Sequence, residues 1–393
     1  MLYLTTPDHR SMDKRFLSLD VFRGATVALM ILVNNPGSWS HLYSPLAHAP
    51  WHGATPTDLV FPFFLFAVGN AMAFVLPRYD RTSSSAFWSK VGWRSFLIFL
   101  IGLTLNAFPF VRYDAEGQLV AKSFATLRTL GVLQRIALCY IIAAAFIRLL
   151  GDKGSAYAAA LILLIYWALC QSLGAPGDPY SLEGWFGTGI DKALLGEKHL
   201  YRGEGVPFDP EGLVSTLPAV VQVVIGYLAG QYILQKGLQW EMLATLMAMA
   251  LLLILAGLCW NMSFPINKKI WTSSYVLYTS GLALATLGMA IWHIEFRHKG
   301  GRWCQFFLPF GRNPLLIFVL SGVVAKTYGL FRISDVDSQG APLFRSLGAW
   351  MYEHFFSPAF GVLNGSLMYA IAHILLFWAI SYWLDLKKIY LRV

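Results

Sequence analysis

Apolar residues fill long stretches of this chain, and polar residues gather in the segments between them. A helix that crosses a hydrocarbon core about 30 Å thick needs roughly 20 mainly apolar residues. About ten stretches meet this requirement, and they are 19–35, 56–76, 91–109, 130–150, 156–174, 213–235, 240–260, 271–294, 305–330 and 364–384. We therefore predict an all-α protein, a polytopic transmembrane helix bundle of about ten spans.

The segments between the predicted spans are long on one side of the membrane and short on the other. The long outer loops are 36–55, 110–129, 175–212 and 331–363. Part of the last loop, 343–360, is amphipathic and rich in aromatic residues, so we predict that it lies along the membrane interface. The spans leave no room for a separate soluble domain. Residues 1–393 are predicted to form a single transmembrane domain with its function toward the outer face.

The composition agrees with a bundle surrounded by membrane lipid. Hydrophobic residues make up 56% of the chain, charged residues only 13%, and the mean hydropathy is +0.54. Soluble domains carry roughly 25% charged residues. The net charge is +9, but the sequence shows no soluble basic face interleaved with aromatic residues, which a nucleic-acid partner requires. We therefore expect no nucleic-acid partner.

The distribution of basic residues predicts the orientation of the bundle. With both termini in the cytoplasm, fifteen Lys and Arg residues lie on the short inner side and ten on the much longer outer side. This excess follows the rule that inner loops are positive. The fifteen are Arg10, Lys14, Arg15, Arg78, Arg81, Lys90, Arg148, Lys153, Lys236, Arg297, Lys299, Arg302, Lys387, Lys388 and Arg392. We predict that both termini are cytoplasmic.

Four arginines lie within or at the ends of predicted spans, where a charge is costly to keep. They are Arg23, Arg94, Arg135 and Arg312. One interpretation is structural, because Asp20 and Arg23 share a helix face and can pair. The other is a bound anion, since guanidinium groups match phosphate oxygens. The set would suit a phosphate-rich ligand such as coenzyme A.

Several polar residues of the outer loops are candidates for binding or catalysis. His48 and His52 have ligand spacing only on a helix, which Pro50 disfavours, so no metal site is predicted. Asp58 either completes the first turn of the second span or acts in the site. Asp209 and Glu211 either begin a helix or bind sugar hydroxyls or a cationic amine.

Seven segments together resemble the heparan-α-glucosaminide N-acetyltransferase family. They occur in the expected order over most of the chain and are 18–24, 30–34, 48–53, 58–62, 131–135, 209–212 and 265–268. The resemblance implies transfer of acetyl from cytoplasmic acetyl-CoA to a glucosamine amine across the membrane. The segment 19–24 is also similar to membrane acyltransferases that modify cell-surface sugars.

The resemblance also implies roles for particular residues. The family's catalytic histidine falls on His48 and its neighbouring asparagine on Asn34. The acidic motif associated with the sugar falls on Asp209 and Glu211, and we place Asp58 with these substrate-binding residues. The remaining candidates form the cofactor-binding set, which is Arg23, Arg135, Asn267, Lys268 and Arg312. His48 would act either as a general base or as the carrier of the acetyl group.

Two other function classes stay open from the sequence. The scaffold would also suit an amino-sugar transporter, with His48 and the acidic pair as substrate ligands, or an O-acyltransferase of surface polysaccharide. The chain resembles the shorter bacterial members, which lack an outer N-terminal domain, so we expect a bacterial inner membrane protein. Heparan itself is then in doubt as the acceptor, and assembly into a homodimer stays open.

Overall fold

The computed structural model describes residues 16–79, 83–114, 116–336 and 342–391, and helices dominate this part of the chain. The α-helices are α1 (Leu17–Asn34), α2 (Val60–Val75), α3 (Ser84–Ala107), α4 (Val132–Leu173), α5 (Gly187–Leu195), α6 (Leu213–Lys236), α7 (Trp240–Trp260), α8 (Ser273–Ile291), α9 (Arg302–Arg312), α10 (Pro314–Tyr328), α11 (Leu347–Met351), α12 (Ser357–Phe360) and α13 (Val362–Leu386). A 3₁₀ turn, Pro56–Leu59, leads into α2, and a π-helical turn, Trp292–Phe296, extends α8.

The prediction of an all-α transmembrane bundle is confirmed. Within the described ranges, eight helices are long and apolar enough to cross a membrane, or nine if the bent pair α9 and α10 is one span. The number of about ten spans and the cytoplasmic position of both termini stay predictions. Several basic residues behind that orientation lie outside the described residues, namely Arg10, Lys14, Arg15, Arg81 and Arg392.

The longest helix, α4, covers two predicted spans, 130–150 and 156–174. Its backbone leaves the helical conformation at Gly151, where φ is +66°. Arg135 in the first half lies over the Trp271 ring, and the Tyr166 hydroxyl in the second half donates to the carbonyl of the neighbouring Ile270. A straight helix would hold Arg135 and Tyr166 about 46 Å apart. The two halves therefore fold back on each other at Gly151.

The span predicted over 305–330 is not one continuous helix, because the structure bends it into α9 and α10, and its count as a single span stays a prediction. The two helices meet at 81°, and Asn313 between them has non-helical φ and ψ of −128° and 48°. Proline at 314 disfavours the helical conformation for the residue before it. A break at this depth is tolerated where the surrounding bundle satisfies the freed backbone groups.

The connections between α3 and α4 and between α10 and α11 contain two short antiparallel hairpins that the apolar pattern did not indicate. Strands β1 (Val111–Tyr113) and β2 (Leu119–Ala121) form one, and β3 (Arg332–Val336) and β4 (Pro342–Ser346) form the other. The predicted interfacial segment 343–360 therefore begins as a strand and becomes helical only from Leu347. Its position at the membrane interface stays a prediction.

Glycines permit the closest helix contacts in the bundle. A methyl group at Gly69 of α2 would lie 1.8 Å from the Val223 carbonyl oxygen of α6, and one at Gly226 would lie 2.1 Å from the Phe66 carbonyl oxygen. Small residues let helix backbones approach closely where lipid offers no hydrophobic driving force. The α2–α6 pair therefore forms a tightly packed centre, on which the loops of the site are built.

Replacing Gly69 or Gly226 by Ala is expected to destabilise the protein by about 1–3 kcal/mol, since overpacking displaces the partner backbone. Gly92 of α3 is the matched control, because a methyl group there meets nothing within 4 Å. Thermal denaturation in detergent should show a lower melting temperature for Gly69→Ala and Gly226→Ala. The melting temperature of Gly92→Ala should equal that of wild type. Equal melting temperatures for all three variants would contradict this packing.

Candidate active site

His48 and Asp58 form a hydrogen-bonded pair just before the start of α2. The Nδ1 atom of His48 lies 2.6 Å from Oδ1 of Asp58, whose side chain is only 2% exposed. An ionised carboxylate only accepts hydrogen bonds, so His48 donates its Nδ1 proton to Asp58. This leaves Nε2 unprotonated in the neutral ring and able to accept a proton.

The other oxygen of Asp58 closes the start of the helix. It accepts from the backbone N–H groups of Ala49 and Thr55, each at 3.0 Å, and from the Thr55 hydroxyl at 3.1 Å. Asp58 was predicted to bind substrate, but its carboxylate is buried and occupied by these donors. It positions His48 and the preceding loop instead.

A cavity of about 170 Å³ lies beside this pair. It is lined by Met30, Val33, Asn34, His48, Thr57, Val60, Phe61, Phe64, Val132, Ile136, Glu211, Lys268 and Phe318. Four residues predicted to act in the site, Asn34, His48, Glu211 and Lys268, thus meet at one place. The remaining lining is almost entirely apolar, so the polar groups converge over a hydrophobic wall.

Asn34 is the last residue of α1 and faces the cavity. The helix ends there because Pro36 follows shortly after, and the next residue, Asn35, turns its amide back to the Ile31 carbonyl oxygen at 2.8 Å. The Asn34 side chain is exposed and makes no hydrogen bond to the described residues. Its amide is available to a ligand.

Asp209 and Glu211 are held by Arg128, which the sequence analysis did not single out. The guanidinium donates to both oxygens of Asp209, with Nε 2.9 Å from Oδ2, and also to Oε2 of Glu211. The Arg128 side chain also lies over the Tyr201 ring at 4.7 Å. No local motif shows this pairing, because more than 80 residues separate the partners.

The two acidic residues occupy different environments, which corrects their shared assignment to the sugar. Asp209 is fully buried and does not line the cavity, so it positions Arg128. Glu211 is partly exposed and does line it. Burial alone would raise the pKa of Glu211, but the cations Arg128 and Arg135 hold that pKa below its usual range. Glu211 is therefore an anion facing the cavity.

Asn267 and Lys268, both predicted to bind the cofactor, have separate roles in one turn before α8. Asn267 is fully buried, and its Oδ1 accepts from the backbone of Lys269 and Ile270 at 2.7 and 3.1 Å. Its side chain shapes the turn and does not line the cavity beside His48. Lys268 does line the cavity, and its Nζ lies 3.2 Å from His48 Nδ1 and 3.5 Å from Asp58 Oδ1.

The loop that carries His48 is pinned on its far side. The indole of Trp51 donates to the Tyr180 carbonyl at 2.8 Å, and Lys269 Nζ donates to the Pro50 carbonyl at 2.8 Å. The backbone N–H of Gly53 donates to the Ile266 carbonyl at 2.7 Å. These contacts hold the loop over the mouth of the bundle.

Arg135 was also predicted to bind the cofactor, and the structure encloses it. The side chain is fully buried, and its Nη2 donates to the Gly212 carbonyl and to the Ser215 hydroxyl at the start of α6. It therefore holds the loop of Glu211 against α4. Its Nε and Nη1 have no hydrogen-bond partner among the described residues, and its role toward the cofactor stays a prediction.

Arg23 and Arg312 lie together at the other end of α1. Arg23 pairs with Asp20, and Arg312 Nη1 contacts both oxygens of Asp385 at 2.6 Å. Arg23 precedes Asn34 by eleven residues on α1, a helical distance of about 16 Å. The predicted cofactor arginines are thus divided between two ends of the bundle.

Comparison with known proteins adds the family to this geometry. The sequence model described as "Heparan-alpha-glucosaminide N-acetyltransferase, catalytic" matches residues 15–258, more than half of the chain. The chain belongs to this family. It is similar to the human protein named heparan-alpha-glucosaminide N-acetyltransferase, with 29% identity over 84% of the chain, and to the mouse protein of that name, with 28% identity over 86%. It spans only 56% and 58% of the length of these relatives.

Asp191 of α5 is a further member of the site's framework that the sequence analysis missed. Its Oδ1 accepts from the first backbone N–H groups of α6, Leu213 at 3.0 Å and Val214 at 3.4 Å. Burial raises the pKa of Asp191 to about 6. The start of α6, which carries the Glu211 loop, is therefore capped by a carboxyl group from another helix.

The raised pKa of Asp191 predicts a dependence of stability on pH. An unfolded aspartate titrates near pH 4, so the folded protein binds more protons between about pH 4 and about pH 6. Stability should fall as the pH rises through this window. Asp191→Asn keeps the accepting oxygen without the charge, so its melting temperature should exceed that of wild type increasingly from pH 4 to pH 7. Asp178→Asn, at an exposed position, is the control. A constant difference for Asp191→Asn would contradict the prediction.

Proposed function

We propose that this protein transfers the acetyl group of acetyl-CoA to the amino group of glucosamine or of a terminal glucosaminide. The observation that carries the proposal is the His48–Asp58 pair beside Asn34 in one cavity. Membership of the family and the names of the human and mouse relatives support the same reaction. The acceptor is expected to reach the cavity from the outer side.

His48 acts on the proton of the acceptor amine. Because its Nδ1 proton is given to Asp58, Nε2 accepts a proton from the amine as the new carbon–nitrogen bond forms. The same nitrogen can then return the proton to the departing sulfur. Asp58 fixes the ring orientation and the tautomer throughout, as the orienting carboxylate does in other histidine-based sites.

Asn34 stabilises the charge that develops on the acetyl oxygen. Its side-chain amide is unpaired within the described structure and lines the same cavity as His48. A preorganised donor aimed at a developing oxyanion contributes a factor of about 10²–10³ in rate. We favour direct transfer over an acetyl-histidine intermediate, because direct transfer needs no separately stabilised acetyl-imidazole.

Glu211 is the group best placed to bind the amino sugar. Glu211 lines the cavity together with the apolar residues, and its carboxylate is fixed by Arg128. A fixed anion can accept hydrogen bonds from sugar hydroxyls or hold the ammonium form of the amine before it is deprotonated. Arg128, Asp209 and Arg135 then act as its positioning residues.

The residues present fit the reacting end of acetyl-CoA, which supplies an activated thioester. The apolar wall, which includes Val33, Phe64 and Phe318, suits an acetyl group and an uncharged linker. The cavity of about 170 Å³ is smaller than the roughly 300–1,000 Å³ of pockets that enclose whole ligands. The phosphate groups must therefore lie elsewhere, and we assign them to Arg23 and Arg312.

The reaction is tested with purified protein in detergent, labelled acetyl-CoA and glucosamine. Wild type should form labelled N-acetylglucosamine, and His48→Ala should lose a factor of about 10²–10⁴ in turnover while keeping acetyl-CoA binding. Asp58→Asn should lower the turnover rate strongly, because the His48 ring would no longer be held in the correct tautomer. His52→Ala is the matched control from the same loop and should lose far less.

Other outcomes identify other functions. No product from wild type, together with glucosamine uptake into vesicles, would favour the transporter. Product that still forms when the acceptor amine is blocked would favour O-acylation. Near-normal turnover in His48→Ala would make this histidine a structural residue of the loop.

Arg23 and Arg312 lie at one end of the bundle and Arg135 at the other, and this gives a separate prediction for cofactor binding. Arg23→Ala and Arg312→Ala should raise the KM for acetyl-CoA by about tenfold each with little change in kcat, since each removes a phosphate partner. Arg135→Ala should instead lower the melting temperature, because it removes the contacts to Gly212 and Ser215. An unchanged acetyl-CoA affinity in the Arg23 and Arg312 variants would leave these residues as partners of Asp20 and Asp385 only.

A further inference from the structure

The buried Asp58 carboxylate has one fixed cation within ion-pair distance among the described residues, and this cation is Lys268. The Nζ–Oδ1 distance is 3.5 Å, and the same Nζ lies 3.2 Å from His48 Nδ1. The Lys268 side chain is mostly buried, at 21% exposure. Lys268 thus contacts both members of the His48–Asp58 pair.

The backbone around Lys268 holds its side chain in this position. Asn267 shapes the turn with its Oδ1, and its backbone N–H donates to the Thr272 hydroxyl at 3.0 Å. Gly53, from the histidine loop, pairs with this segment through Ile266. The lysine and the histidine are therefore carried by two segments that are bonded to each other.

The charged groups facing His48 come from three elements. Asp58 contacts it from the 3₁₀ turn and Lys268 from the turn before α8, and Glu211 lines the same cavity. Arg128 is shared between Glu211 and Asp209, and Arg135 is the second cation acting on Glu211. His52, on the same loop as His48, lies beside the uncharged Asn267. Among the described residues, Lys268 is therefore the cation left to balance the charge of Asp58.

A buried carboxylate is costly without a positive partner. If Lys268 were neutral or absent, the nearest group able to supply the charge would be His48, by taking a proton on its ring. An imidazolium has no free nitrogen and cannot act as a base. We propose that Lys268 is a positioning residue that keeps His48 in its neutral form, rather than a ligand of the cofactor.

The protonation of Lys268 itself is consistent with this role. Burial lowers the pKa of its ammonium group, and the carboxylates of Asp58 and Glu211 oppose that shift. Lys268 interacts with both carboxylates, Asp58 beside the histidine and Glu211 at the proposed sugar-binding position. This inference rests on the proposed function, in which His48 is the base.

The test measures the protonation of His48 without acetyl transfer. Diethyl pyrocarbonate modifies neutral imidazole, so the rate of His48 modification, read by peptide mass spectrometry from about pH 5 to about pH 9, gives a titration midpoint. Lys268→Met and Lys268→Gln should both move this midpoint upward by about one pH unit. That shift is about a tenfold slower modification at a pH below both midpoints. Lys268→Arg should restore the midpoint.

Lys269→Met is the matched control. It removes the neighbouring ammonium, which contacts Pro50 and Glu204 and not Asp58. It should lower the melting temperature and leave the His48 midpoint in place. An unmoved midpoint in the folded Lys268→Met and Lys268→Gln proteins would overturn the inference. A tenfold loss of acetyl-CoA affinity with an unmoved midpoint would show instead that Lys268 binds the cofactor. Because the readout needs no turnover, absence of acetyltransferase activity would leave this result interpretable.

Discussion

A carboxylate withdrawn from water must be surrounded by hydrogen-bond donors, and the donors around Asp58 come from the loop just before it and from one distant turn. The histidine loop supplies His48 and Ala49, the helix start supplies Thr55, and the turn before α8 supplies Lys268. One buried group thus joins the histidine loop to a lysine that follows His48 by 220 residues. The position of the histidine, its tautomer and its access to the cavity all depend on that requirement.

The bundle beneath provides the rigidity that such a site needs. Close contact of α2 with α6 through Gly69 and Gly226 fixes the two helices whose N-terminal ends carry Asp58 and the Glu211 loop. The Tyr275 hydroxyl of α8 also donates to the Asp58 carbonyl at 2.6 Å. Groups carried by packed helices keep their separation better than groups on free loops. The cavity is lined by residues of α1, α2, α4 and α10 and by the segments that carry His48, Glu211 and Lys268.

The two ends of the bundle have different electrostatic character. At one end, Glu211 and the His48–Asp58 pair face an apolar wall, a setting suited to an amine and a thioester. At the other, Arg23 and Arg312 lie with Asp20 and Asp385. For a ligand with phosphates at one end and an acyl group at the other, this arrangement allows the anionic part to stay near one face while the reactive part reaches the other. The buried Arg135 belongs to the framework between them.

The sequence by itself determined that this is an all-α membrane protein, because the length and apolarity of a span are local properties. Its motifs also identified Asn34, His48, Glu211 and Lys268, which the fold brings to one cavity. Only the tertiary structure decided which polar residues face that cavity. Asp58, Asp209, Arg135 and Asn267 have the same chemistry as ligand-binding residues, but the fold buries all four. The partners of Asp209 and Arg135 lie 81 and 77 positions away along the chain. Burial and pairing are set by contacts across the fold, and a pattern read along the chain contains no record of them.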